Sequence, residues 1–220
     1  MPRPVVLEGR TVRLEPLGHE HVDDLFEATC GAVDDALWTY LFQDRPASRD
    51  ELAALLAAGV ADPATVMFAI VPSTTGRAAG FCSLMRIDAS HGSVEVGGIN
   101  FGRSLQRTRA ATEAMALLMR HVFDDLGYRR YEWKCDHLNA PSRRAAERLG
   151  FVWEGCFRNA VVYKGRNRDT DWFSITDVEW PVVSRSLDEW LDDANFDQSG
   201  RQRTSLADLR DQHTNQPQEA

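Results

Sequence analysis

The sequence predicts one α/β (α+β) domain: a mixed, mostly antiparallel central sheet with one parallel pair, and helices on both faces. Three observations predict it. Residues 65–101 read as three strands joined by short turns, which makes an antiparallel meander. Residues 112–126 carry a strong helical rhythm between strands. Residues 131–178 then alternate strand, helix and two strands. A strand, helix, strand sequence needs a crossover, so the strands near 97 and 132 should pair in parallel.

The elements follow in order. Residues 11–15 alternate polar and apolar, with Val12 and Leu14 on one face, and Pro16 ends the strand. Val22, Leu25 and Phe26 mark a helix over 18–29. Ser48 and Glu51 form a capping box before Leu52, Leu55 and Leu56, so a second helix starts there. Strands are expected at 65–71, 78–87 and 93–101, with turns at Gly76 and at His91-Gly92. Met115, Leu118, Met119, Val122 and Leu126 share one helical face, and Gly127 stands where a C-terminal cap belongs. Tyr131, Trp133 and Cys135 alternate with Glu132, Lys134 and Asp136 as in a strand. Pro141 and Gly150 bracket a short helix. Residues 151–163 and 171–178 look like a final antiparallel pair, with 163–171 as the loop between them, and a last helix is expected at 182–191.

Residues 1–194 are thus expected to form the domain, and residues 195–220 a polar, partly disordered C-terminal tail docked near Phe196 and Leu206. Removing the chain after Leu206 should then leave folding intact.

The 220 residues suffice for a core without covalent staples. No apolar run approaches the roughly 20 residues of a membrane helix, and no secretory signal is evident. Cys30, Cys82, Cys135 and Cys156 are widely spaced, which suggests neither a metal site nor a redox pair. A cytoplasmic protein with reduced thiols, no metal and no membrane association is expected. The net charge of −8 argues against nucleic-acid binding. Residues 101–170, however, hold fourteen Arg or Lys against eight Asp or Glu. That local excess suits either a small anionic ligand or a solvated charged face.

Gln106-Arg107-Thr108-Arg109-Ala110-Ala111-Thr112-Glu113 lies between a strand and an amphipathic helix. A helix N-terminus presents unpaired amides and a positive dipole end, and small residues at 110 and 111 allow an anion close. No phosphate-binding loop of the G-x-x-x-x-G-K-[ST] type and no G-x-G-x-x-G is present.

These residues resemble the GNAT N-acetyltransferase superfamily, whose members carry [Gln/Arg]-x-x-Gly-x-[Gly/Ala] between a strand and a helix. Gln106 matches the first position and Ala111 the last. Downstream, Asn139-Ala-Pro-Ser142 leading to Leu149-Gly150-Phe151 resembles the second motif of the superfamily. The opening Leu-Glu-Gly-Arg-Thr-Val-Arg-Leu-Glu-Pro-Leu is similar to the branch of ribosomal-protein N-terminal serine and alanine acetyltransferases. The resemblance covers about residues 7–180.

It implies acetyl-coenzyme A as cosubstrate. The pantetheine would lie along Ile99, Asn100 and Phe101, and the pyrophosphate over Arg107, Thr108, Arg109, Ala110, Ala111 and Thr112, with Gln106 ahead of them. Asn139 and Ser142 would face the thioester. Arg109 departs from the pattern by replacing the central glycine. It either adds a side-chain contact to the phosphates or marks weaker binding, and the small neighbours and helix dipole favour the first.

Acetyl transfer to an amine needs a neutral amine, a polarised carbonyl and a proton for the thiolate. Gly97-Gly98 inside a strand marks a bulge or a close approach, where a backbone N–H would polarise the carbonyl. Glu95, two residues earlier, could accept the amine proton, or could be an ordinary strand residue. Ser142 could protonate the thiolate, a role the resemblance gives to a serine of this region in the nearest branch; the tyrosine more common in the superfamily is missing, and Glu147 and Arg148 stand there. Asp169 and Trp38 are candidate acceptor-binding residues, with Trp172 beside them. Cys135 is expected to be a core thiol, and His91 and His121 ordinary surface or core residues.

The expected function is N-acetyl transfer from acetyl-coenzyme A to a small-molecule or peptide amine, by a monomer or homodimer. The alternative is a catalytically silent, acetyl-coenzyme A-binding regulatory module.

Overall fold

The computed structural model describes residues 1–215. Its strands are β1 (Leu7–Glu8), β2 (Val12–Pro16), β3 (Val66–Pro72), β4 (Gly80–Asp88), β5 (Ser93–Phe101), β6 (Arg130–Asp136), β7 (Val152–Tyr163) and β8 (Arg166–Thr176). They form one sheet in the order β1-β2-β3-β4-β5-β6-β8-β7. Every pairing is antiparallel except β5 with β6, where Glu95 sits beside Glu132 and Val96 beside Trp133. The parallel pair thus falls where the crossover helix requires it.

The helices are α1 (Val22–Thr29), α2 (Asp35–Trp38), α3 (Arg49–Ala61), α4 (Arg109–Arg120), α5 (Ala140–Leu149), α6 (Trp180–Leu191) and α7 (Leu206–Thr214). They cover both faces of the sheet. On one face, Met115, Leu118, Met119, Ala146, Leu149, Val183 and Leu187 pack on Val94, Val96, Tyr131, Trp133, Phe173 and Ile175. On the other, Val22, Leu25, Leu52 and Leu56 pack on Ala69, Val71 and Phe81. Strand alternation does the sorting: Phe68 and Ile70 enter the first core, Ala69 and Val71 the second.

Local signals act at several helix ends, at Ser48 and Gly150 as the sequence predicts. Ser48 Oγ accepts from the Glu51 amide, and Glu51 Oε2 accepts from the Ala47 amide one residue ahead of the usual box. Thr108 caps α4 through the Ala111 amide at 3.1 Å. Gly150 ends α5 in the left-handed region at φ +104°, which an L side chain resists.

Two expectations need correction. The segment 163–171 is not a loop. Tyr163 pairs with Arg166, and Lys164 and Gly165 make a two-residue turn with φ of 48° and 71°, as a tight hairpin requires. Residues 166–170 belong to β8.

The C-terminal segment is also built differently from a loose tail. Phe196 pairs with Gln202 and sets its ring edge-on to Trp190 at 5.2 Å. Ser205 caps α7, whose Leu206 and Leu209 are 1% and 7% exposed. Arg210 then donates to the carbonyls of Arg148 and Glu147 at the end of α5, satisfying acceptors that a helix end leaves open. Through residue 215 the chain therefore packs on the domain. The remainder of the expected tail, 216–220, lies outside the described residues.

Candidate active site

The site begins where the parallel pair ends. β5 and β6 pair only as far as Val96 and Trp133. Beyond them β5 stays with β4 and β6 stays with β8, so the two strands part. Gly97 and Gly98 stand at the divergence. A Cβ on Gly97 would lie 2.7 Å from Met85 Sδ, and Gly98 adopts φ +58°, so both positions favour glycine. The register with β4 slips across Phe81 and Ser83, which makes this stretch the expected bulge.

Past the bulge, Ile99 and Phe101 pack against the first core, and Asn100 turns to the opposite face, across from Phe81. Gln106 Nε2 donates to the Phe101 carbonyl at 2.8 Å and fastens the following loop to the strand. Thr108 Oγ1 accepts from Ala111, and Thr112 Oγ1 accepts from Arg148 Nη1. Among the described residues, no protein acceptor takes the amides of Arg107, Arg109 or Ala110. These three free amides, one before the cap and two at the start of the 12-residue α4, are donors that suit an anion.

Arg109 fits its position without strain. It is the first residue of α4 and has ordinary helical backbone; Arg107 is the residue in the left-handed region, at φ 61°. Arg109's guanidinium is engaged at the C-terminal segment. It donates to Asp193 and to the Leu191 carbonyl and lies 4.7 Å over the Phe196 ring. Beside it opens a cleft of about 660 Å³ lined by Arg107, Thr108, Arg109, Trp190 and Phe196, among others.

Asn139 and Ser142 meet at the N-terminus of α5. Asn139 Oδ1 accepts from the Ser142 amide at 3.1 Å, which is capping. Ser142 Oγ accepts from Trp133 Nε1 at 3.0 Å. With that lone pair occupied, the hydroxyl proton is free to point elsewhere. Cys135 lies below in the core. Burial pushes its thiol up to about 11, against a smaller opposite pull from Ser142, so it stays protonated and is no nucleophile.

The opposite face of the parting strands is charged. Glu95 is 3% exposed, and both its oxygens are held: Arg86 Nη1 lies 2.7 Å away and Lys134 Nζ 2.8 Å. Lys134 also pairs with Glu132 and sits 3.6 Å over the Trp172 ring. An ordinary exposed strand glutamate is therefore not what stands here.

Deeper along β6, Asp136 accepts from Tyr163 Oη and Arg166 Nη2, each at 2.6 Å, and from the Leu138 amide. Burial raises the Asp136 carboxyl, but these donors outweigh it and hold it below the usual range. The same burial, with the Asp136 bond, pushes the Tyr163 hydroxyl up to about 12.

A depressed folded-state carboxyl contributes stability that is present above its unfolded pKa and lost as pH falls through the folded value. Melting temperature should accordingly fall on acidification below about pH 4. Asp136→Asn should cost about 1–3 kcal/mol at neutral pH and much less at pH 3, as read by thermal melts at both values. An equal loss at both pH values would show that the carboxylate charge is not what matters.

Of the two predicted acceptor residues, Asp169 lies on a strand rather than a loop, and Trp38 is mostly buried. Trp38 is 2% exposed; its Nε1 donates to the Thr29 carbonyl at 2.7 Å and its ring contacts Phe81. Only its edge lines a shallow cleft with Asp35, Thr39, Asp44, Arg45 and Lys164. Asp169 lies within β8, and its Oδ1 accepts from the Asn159 amide at 2.7 Å, steadying a bulge in β7.

Comparison with known proteins fits this geometry. Residues 11–152 match the family model described as Acetyltransferase (GNAT) domain. The chain belongs to the GNAT acetyltransferase family. Members of this family use acetyl-coenzyme A and acetylate amines. A GCN5-related N-acetyltransferase from Brucella melitensis is 46% identical, with a TM-score of 0.93 over 96% of each chain. A probable acetyltransferase of the GNAT family from Chromobacterium violaceum is 40% identical, with a TM-score of 0.77 over 82% of this chain and 90% of that one. An uncharacterized N-acetyltransferase, p20, from Bacillus licheniformis is 32% identical over 113 residues, or 51% of this chain and 63% of that protein. No helix among the described residues is long and apolar enough to cross a membrane.

Several residues of the site escape sequence reasoning. Arg86 reaches Glu95 only because it holds φ 48° beside a slip in register. Lys134 is visible as an outward strand position, but Glu95 and Trp172 reach it from other strands; only Glu132 lies on its own. Arg168 and Tyr163 were hidden in the segment that reads as a loop; the alternation of Arg166, Arg168 and Thr170 was the available signal.

Proposed function

We propose that this chain transfers an acetyl group from acetyl-coenzyme A directly to a primary amine. The observation that carries the proposal is the parting of β5 from β6 at a glycine bulge, next to a helix N-terminus with free amides. A thioester held there supplies the acyl carbon that the amine attacks. Arg107, Thr108, Arg109, Ala110, Ala111 and Thr112 bind the pyrophosphate through backbone and charge. The open edge of Ile99, Asn100 and Phe101 receives the amide-bearing arm, with Gln106 holding the loop in place. Asn139 keeps the start of α5 in register beside it.

The backbone at Gly97-Gly98 polarises the acetyl carbonyl, as an oxyanion hole does. Ser142, whose oxygen already accepts from Trp133, gives its proton toward the leaving sulfur. Glu95 takes the amine proton when Arg86 or Lys134 gives way, directly or through water. An α-amine, with a pKa near about 7.7–8.0, asks less of that base than a lysine amine. Trp38 contributes the edge of the acceptor cleft, and Asp169 acts there by holding the β7 bulge. The unstrained fit of Arg109 weighs against a silent module.

Calorimetry should detect saturable binding of coenzyme A, weakened by salt, and thiol release should accompany incubation of acetyl-coenzyme A with amines. Absence of coenzyme A binding would end the proposal. Binding without turnover on any amine would leave the silent module.

A further inference from the structure

Two buried polar side chains on the side of the sheet away from the cofactor loop lack a protein partner. Arg168 is 7% exposed, and its Nε is buried with no acceptor. No carboxylate among the described residues pairs with it. Those nearby are taken: Asp136 by Tyr163 and Arg166, Asp169 by Asn159, Asp171 by His137 and Arg143, and Asp44 by Lys164. Asn100 is 2% exposed, and neither its Oδ1 nor its Nδ2 has a partner. A buried guanidinium without a counterion and a buried carboxamide without hydrogen bonds are both costly in the free protein.

Their placement points to a ligand. Thr170 pairs with Asp136 at the end of β6, so Arg168 sits two residues past that end, on the same face as Thr170. Asn100 lies on the same side of the sheet, across from Phe81. The cofactor loop and α5 start on the other side, so this is the side from which an acceptor meets the thioester. Beside Arg168 the Lys164 Nζ donates to the Trp38 carbonyl, and the Phe42 and Tyr163 rings lie 5.5 Å apart. Both rings lie to one side of the guanidinium, at 5.2 and 5.6 Å. Its buried Nε is left without an acceptor, and the flat edge of a guanidinium matches a carboxylate.

We propose that the amine acceptor carries a carboxylate and that Arg168, with Asn100 beside the opening, receives it. The acceptor is then an amino acid or a related amino-carboxylate. An unpaired cation at the entrance disfavours a polyamine. This inference rests on the acetyltransferase reading of the site.

The test compares amines that differ only in the carboxylate: L-lysine with cadaverine, and L-phenylalanine with phenethylamine. kcat/KM should favour the carboxylated member of at least one pair by tenfold or more, and Arg168→Gln should bring the ratio near one. Arg168→Lys should keep part of the preference. If no amine turns over, calorimetry of N-acetyl-L-phenylalanine against N-acetylphenethylamine on the coenzyme A complex gives the same comparison without chemistry. Equal values within every pair for the wild-type protein overturn the proposal, and that comparison needs no variant to fold. A preference that survives in folded Arg168→Gln, or a stronger preference for phosphoethanolamine, overturns it as well. Failure of coenzyme A binding itself would instead strike the acetyltransferase reading.

Discussion

Ser142→Ala should lower kcat and kcat/KM together by roughly 10²-fold, the size expected for one proton donor. Coenzyme A affinity should change little, because the hydroxyl acts chiefly as the sulfur leaves. The Oγ that accepts from Trp133 Nε1 also anchors the start of α5, so the alanine variant should lose about 1 kcal/mol of stability. Ser142→Thr separates the two effects, since it keeps a hydroxyl at the same atom and should restore much of the rate. Steady-state kinetics with thiol detection reads all three. A fully active alanine variant would move the proton source to water held along the unpaired edge of β5.

Ending the chain at Ser205 should lower the melting temperature by roughly 10 °C. Leu206 and Leu209 are both buried against the core that contains α5 and α6, and each contributes about 1.5–3 kcal/mol by burial. Arg210 adds hydrogen bonds to two carbonyls of α5. For a domain of this size, 1 kcal/mol moves the midpoint by about 2–4 °C. The sequence-based expectation was the reverse, that truncation after Leu206 is harmless. An unchanged melt of the shortened chain would restore it.

That reversal shows what composition hides. The segment after Asn195 is polar enough to look unfoldable alone, and alone it would be. Docking asks less than folding: Phe196, Leu206 and Leu209 need only a surface already formed by Trp190 and its neighbours. Signals acting within a few residues were legible. Ser48 caps the helix that follows it and Gly150 ends the one before it, and Tyr131, Trp133 and Cys135 alternate into the core as their spacing implies. Side-chain pairings across strands were not. Arg86, Glu95 and Lys134 come from three strands, and nothing near Glu95 in the chain announces its cations.

The last turn of α4 widens into a π-helical stretch at His121–Asp125, with the Leu126 amide reaching back to the His121 carbonyl. Three successive residues, His121, Val122 and Phe123, are buried there. Both ends of this helix are fixed, by the Thr108 cap and by the pairing of β6. A wide turn of this kind takes up one residue more than an α turn, so losing one residue inside it would leave a plain α turn and keep the faces on either side in register. Losing one ahead of it, between Thr108 and Arg120, would instead turn the amides at the start of the helix by about 100° relative to the rest. Tolerance for a lost residue is therefore confined to His121–Asp125.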